Sequence, residues 1–241
     1  MPLLLLAIME ITAAREFNTL YIYLDILWLI VFAAILIWRK KYLAIYAGIA
    51  GSIIYFIADY GIFLLLLKTR VITGADPFWF LLWLSISYGF TNFAWIWLLL
   101  DRDKNTVEWS VLVISAWIAV AMLSVSFGSA FQVVTSSRGT ASYHGILALI
   151  LVVGYAYLVI HNLRAKPGDR VNILRLLAIG IGVQFSWEAI LLISGIRPIA
   201  FMPLVVNSLV ETNIAMPYLY AVHRLVSKKY RENLKGAGSS L

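Results

Sequence analysis

Four carboxylates stand inside long apolar runs of this 241-residue chain: Asp25, Asp59, Glu188 and Glu211. A charged side chain at bilayer depth costs from about 2.5 kcal/mol on insertion scales to roughly 10 in simulation. Groups kept at that cost are expected to act. The runs carry no Lys or Arg at the depth of Asp59, Glu188 and Glu211. These three are therefore expected to be neutral acids, because burial disfavours the charged form. A carboxylic acid kept neutral at pH 7 is a proton donor. Asp25 lies one turn into its run, near an interface, where solvation or substrate contact are both open.

Amides and aromatic rings accompany the acids. Gln184 and Glu188 are four apart, as are Asn207 and Glu211, so each pair shares a helix face. This spacing points to one cavity lined by the first, second, sixth and seventh apolar runs, with Asn92 toward the other half. Amides also join membrane helices by hydrogen bonds, and that reading stands beside the functional one for Asn92, Gln184, Asn207 and Asn213. Aromatic residues make up 14% of the chain. Tyr60, Trp95 and Trp187 are among the deeper ones. Core packing is the plain account of them, and a cavity walled by π faces, which attract cations, is the sharper one. The expected site has Glu188, Asp59 and Glu211 as catalytic groups. Asp25, Tyr60, Trp95, Asn92, Gln184, Trp187 and Asn207 are expected to contact substrate, and no metal or cofactor is expected.

The elements that must position these groups follow from hydropathy. The chain is 62% hydrophobic and 13% charged, with a mean hydropathy of +0.89, far from a soluble composition. A spanning helix takes about 20 mostly apolar residues. Seven such runs are expected, near 20–38, 42–67, 77–100, 107–131, 142–162, 173–196 and 200–224. This predicts an all-α integral membrane protein, a seven-transmembrane-helix bundle forming one domain over 1–235. Residues 236–241 read as a linker-like tail. The first 17 residues read as an amphipathic or re-entrant lead-in, since Glu10 interrupts them and no basic segment opens them.

Of the 19 Lys and Arg, Arg15, Lys68, Arg70, Arg138 and Arg197 fall at one end of the seven runs and the other 14 at the opposite end. Basic residues stay on the cytosolic side, so the N-terminus is expected outside and the C-terminus in the cytosol of a plasma or endoplasmic-reticulum-type membrane. The same pattern accounts for the net charge of +7 without a nucleic-acid partner.

Several chemistries are disfavoured. With no Cys there is neither disulfide nor thiolate chemistry. Every Lys lies at a run's end or in a loop, which argues against a retinal Schiff base. There is no phosphate-binding Gly-rich loop, no His-Glu-x-x-His and no Gly-x-Ser-x-Gly. Gly180-Ile181-Gly182 reads as a close helix contact.

An apolar cavity with neutral acids and aromatic walls suits protonation of an alkene or epoxide, followed by carbocation cyclisation in the absence of water. The chain resembles the small integral-membrane terpene cyclases of fungal meroterpenoid and indole-diterpene pathways and their bacterial relatives. The resemblance lies in size, seven runs, the segment Gln184-Phe185-Ser186-Trp187-Glu188, and Glu211 in the last run. In that family the Trp-Glu element sits in an early span; here it is in the sixth, and the early acid Asp59 follows Ile57-Ala58. The resemblance implies a polyprenyl or terpenoid substrate entering from membrane lipids. Glu188 or Asp59 would be the donor, Glu211 with Asn207 would orient it, and Trp187, Trp95 and Tyr60 would face the cation. The rival expectation is a proton- or cation-coupled transporter or channel using the same acids. The short echo of Asn92-Phe93-Ala94-Trp95 in Gln184-Phe185-Ser186-Trp187 fits inverted repeats.

Overall fold

The computed structural model describes residues 14–138, 144–199 and 201–238. Among them the chain is mostly helical. The elements in order are β1 (Arg15–Asn18), α1 (Thr19–Trp38), α2 (Tyr42–Phe56), a π-helical continuation (Ile57–Leu66) and β2 (Arg70–Thr73). They continue with α3 (Pro77–Leu100), α4 (Thr106–Phe127), β3 (Val133–Arg138), α5 (His144–Arg164), a 3-10 turn (Pro167–Asp169), α6 (Ile173–Ile193) and α7 (Phe201–Gly238). Most of the expected lead-in and the last three residues of the expected tail lie outside the described residues. α7 itself runs on to Gly238.

Five segments are long and apolar enough to cross a membrane: α1, α2 with its π continuation, α4, α5, and the 3-10 turn with α6. Their outward faces are apolar rather than polar. Leu27 and Ile30 on α1, Ile49 and Ile53 on α2, and Leu149 and Val152 on α5 are all exposed. A surface of that kind calls for lipid, and the molecule is a helical membrane protein. α3 is as long as these five but less apolar for a structural reason. It touches α1, α2, α4, α6 and α7 and is buried along most of Phe80–Leu98. Other helices surround it, so Ser85, Ser87, Thr91 and Asn92 meet protein instead of lipid. Asp76 caps its start, accepting from Phe78 N at 3.0 Å and Trp79 N at 3.1 Å, with Pro77 in the first turn where a missing N–H is harmless.

Small residues set the closest helix contact. A Cβ on Gly89 would lie 2.4 Å from Ser52 Cα, and one on Gly51 would lie 2.6 Å from the Gly89 carbonyl. α2 and α3 therefore meet backbone to backbone, as small residues allow in membranes. Gly180 of α6 leaves room for a side chain instead, since an added Cβ there would meet the Asn213 amide and Met216 of α7.

The expectation of a purely helical chain needs one correction. Three short strands form an antiparallel sheet in the order β1-β3-β2 across one end of the helices. In the register, Arg15 faces Ser136, Phe17 faces Val134, Arg70 faces Arg138 and Ile72 faces Ser136. Strand side chains alternate between faces. The inward face therefore carries Arg15, Phe17, Arg70, Val134, Ser136 and Arg138, while Glu16, Val71, Thr73 and Val133 point away. Beyond the sheet, Glu16 N donates to Ile196 O at 2.8 Å and ties β1 to the α6–α7 turn.

Candidate functional site: a buried guanidinium–carboxylate cluster

The inward face of the sheet delivers arginines to the acids of the helices. Arg15 reaches Glu188 of α6 at 3.1 Å. The other oxygen of Glu188 is paired with Arg197. Gly195 adopts φ +76 just after α6, a left-handed conformation suited to glycine. The chain turns back there, with Arg197 N bonded to Leu191 O at 3.0 Å, which folds Arg197 onto its own helix. Glu188 also accepts from Gln184 Nε2 at 3.3 Å and Asn207 Nδ2 at 3.1 Å. It is fully enclosed.

Asp59 is the buried residue of the π-helical segment. Such segments shift a side chain out of the helical register and are frequent at functional sites. Its Oδ1 accepts from Arg70 and from Arg138, each at 3.3 Å. These two arginines stand directly opposite each other across β2 and β3, an arrangement that repels unless an anion lies between. Asp59 is that anion. Arg138 then continues to Glu211 of α7. Gln184 links the halves, donating to Glu211 Oε2 at 3.2 Å as well as to Glu188, while its own oxygen accepts from Thr212 Oγ1 at 2.7 Å.

The sheet arginines respond to these surroundings. Burial opposes the charged form of Arg15, but Tyr88 and Glu188 beside it outweigh that and raise its pKa above the ordinary value. Burial likewise opposes the charge of Arg138, and Glu211 and Asp59 outweigh it, so its pKa is also raised. Arg70 goes the other way. Burial pushes it down to about 10, with Asp59 only partly offsetting the cost.

The expectation that no basic group lies at the acids' depth is thus corrected. Asp59, Glu188 and Glu211 are each paired with a guanidinium, because the strands and the turn after α6 bring arginines to their depth. The three expected catalytic acids do share one cluster, and Gln184 and Asn207 join it. Asn207 bonds to Glu188 rather than to Glu211. Asp25 lies elsewhere and is fully buried instead of near water. Phe17 packs over that region against Tyr21 and Trp83, and Trp83 Nε1 donates to Asp25 Oδ2 at 2.9 Å. Asn92 is buried beside Tyr55. Tyr60 stacks on Phe56 at 5.1 Å. Trp187 and Trp95 belong to a packed aromatic column. Tyr88 lies 4.5 Å from Trp187, Trp187 lies 5.0 Å from Trp117, and Trp117 lies 5.8 Å from Trp95. The column meets the cluster where Arg15 lies 5.4 Å from the Tyr88 ring.

The four arginines were the residues missed as site members. Their signal lay in the charge count: arginines at the end of the apolar runs that carries the fewer basic residues, each next to a segment short enough for a strand or a tight turn.

The cluster is not closed all round. Glu188 has no exposed side chain, whereas Glu211 retains 23% exposure and Arg138 22%. Arg138 lies 5.1 Å from the Phe63 ring, and Tyr55 is half-buried nearby. This face offers one acid, one guanidinium and aromatic walls together. The chain matches no family model, no curated protein and no solved structure.

Proposed function

We propose that the chain is a seven-span membrane enzyme acting on a lipophilic, terpenoid-type substrate at the open face of the cluster, with Glu211 as its acid–base group. The observation that carries this is the partner arithmetic of the three acids. Neutralising Glu188 would strand Arg15 and Arg197 inside the protein. Neutralising Asp59 would leave Arg70 without its carboxylate. Neutralising Glu211 strands nothing, because Arg138 keeps Asp59. Glu211 is also the most exposed of the three. It is the acid that can give up or take a proton without leaving a buried cation unpaired, which would cost several kcal/mol.

In the reaction, protonated Glu211 gives its proton to a substrate alkene carbon or epoxide oxygen. The O–H bond of the acid breaks and a C–H or O–H bond of the substrate forms. The resulting cation rearranges against the faces of Phe63 and Tyr55, which stabilise positive charge. Loss of a proton to the Glu211 carboxylate ends a redox-neutral isomerisation. Arg138 and Gln184 hold the carboxylate in place throughout.

The five basic residues of the sheet end reduce to Lys68 once Arg15, Arg70, Arg138 and Arg197 are counted as cluster members, so the charge asymmetry is steeper than the raw count. The sheet end would then face outward and the C-terminus the cytosol of a plasma or endoplasmic-reticulum-type membrane.

The test is incubation of the purified protein with a panel of polyprenyl and terpenoid epoxides in detergent and in D2O. Isomeric, deuterium-bearing product that vanishes with Glu211→Gln is expected. No product across the panel, with proton-gradient-driven uptake in vesicles lost on Glu211→Gln, would replace the enzyme with a transporter using the same acid.

A further inference from the structure

The opposite end of the molecule holds a cavity of about 290 Å3 where the end of α3, the α5–α6 connection and α7 meet. Its lining gathers four arginines from three separate segments: Arg102 after α3, Arg170 just before α6 with Arg175 in the first turn of α6, and Arg224 on α7. Asp169 is the one carboxylate among its lining residues, and Arg224 already lies 3.4 Å from it. The wall is built rather than fluid. Arg175 Nη2 donates to Leu99 O at 2.6 Å, and Asn172 Oδ1 accepts from Arg175 N at 2.9 Å, fixing the first turn of α6. His223 is held by Asp101 at 2.7 Å and lies 4.7 Å from the Trp97 ring. Arg102 adopts φ +52, a left-handed conformation that non-glycine residues rarely hold.

Basic residues at a cytosolic helix end need no ligand when they fan into water. These four line one hollow, and they outnumber the single carboxylate among its lining residues. A guanidinium offers a planar fork of donors that matches phosphate oxygens. A lone carboxylate ligand would satisfy one fork, whereas a phosphate presents enough oxygens for several. Leu176 and Ile179 give the same cavity an apolar side, next to the membrane-crossing part of α6. Basic pockets between helices at this level take anionic lipid headgroups.

We propose that this cavity binds a phosphate group, carried either by an anionic lipid of the adjoining leaflet or by a soluble phosphate compound. It stands apart from the carboxylate cluster and does not depend on the enzyme reading; only its assignment to the cytosolic leaflet rests on the orientation above.

The full chain would be purified in detergent, stripped of lipid, and probed in two ways. Inorganic phosphate would be titrated while the thermal midpoint is followed. Separately, the protein would be placed in phosphatidylcholine nanodiscs with and without phosphatidic acid, and retained lipid counted by native mass spectrometry. A lipid source predicts one retained phosphatidic acid per chain, no response to inorganic phosphate, and roughly tenfold weaker retention in Arg170→Gln and Arg224→Gln. A soluble source predicts a raised midpoint with inorganic phosphate that both variants lose. Arg224→Gln also removes the contact with Asp169, so Arg170→Gln decides if that variant does not fold. Arg164→Gln with Lys166→Gln, which removes charge at the same end outside the cavity, should change neither response. Silence of both probes, or an equal loss in the control, overturns the proposal.

Discussion

The two ends of the molecule both collect arginines, and they use them differently. At the sheet end, four guanidiniums meet three carboxylates, and every ion pair is partly or wholly buried. At the opposite end, four guanidiniums surround a cavity that offers one carboxylate. The residue type is the same, and so is the nearness to helix ends. What separates a structural cluster from a ligand site is how many anions the fold itself supplies. A cluster that supplies its own is rigid and costly to break. A cavity that supplies too few should tolerate change in its own side chains and respond to anions from outside.

The strongest challenge to that comparison is Glu188→Gln. It leaves Arg15 and Arg197 buried without their shared anion, and breaking a buried pair in this way costs about 3–5 kcal/mol. We expect a large fall in thermal midpoint, and we expect Glu188→Gln combined with Arg197→Gln to regain much of it. If the single variant unfolds at the wild-type temperature, the cluster is not what holds the sheet to the helices.

Asp59→Asn should come next, at about 3 kcal/mol. It sets Arg70 and Arg138 against each other across β2 and β3 with no anion between them. Hydrogen exchange should report the loss in the backbone of these strands first, and Arg70→Gln in the same chain should restore protection. Glu211→Gln is expected to cost less, about 1 kcal/mol, because Arg138 retains Asp59. Activity, not stability, should register that change. A stability loss equal to that of Glu188→Gln would show that Glu211 is a structural anion like the other two.

The helical frame of this comparison was legible in the sequence. Six of the seven apolar runs agree with the helices to within four residues, since hydropathy over about 20 residues is a strong local signal, whereas α7 runs fourteen residues beyond the expected end at 224. The fourth run, 107–131, passes the end of α4 at Phe127 by four residues. The joining of Asp59, Glu188 and Glu211 was also legible, from depth and four-residue spacing. Their partners were not. The pairing depends on Arg15 reaching Glu188 across 173 residues and on Arg138 reaching Asp59 across 79. Both contacts are set by strands of four to six residues, too short to stand out, whose partners are chosen by tertiary structure. The burial of Asp25 was hidden for a related reason: depth along α1 could be counted, but the approach of Trp83 from α3 could not.

The smallest expected effect sits at the opposite end and sharpens the contrast within it. Asp103, in the turn between α3 and α4, is the kind of self-supplied anion that the neighbouring cavity lacks. Burial alone would raise its carboxyl, but the hydrogen bonds from Lys41, from Asn105 N at 3.0 Å and from Trp109 Nε1 at 3.2 Å outweigh it and hold it below the usual carboxylate range. With the folded value below the unfolded one, the unfolded chain binds more protons between the two. Stability therefore rises with pH through that window. The contribution is complete above about pH 4, the ordinary aspartate value, and is lost as pH falls through the lower folded value. At pH 7 Asp103→Asn should lower the thermal midpoint slightly, and the gap between variant and parent should narrow as pH falls below about 4. A gap that stays undiminished down to the lowest pH at which both fold would mean that Asp103 acts through the shape of the turn and not through its charge.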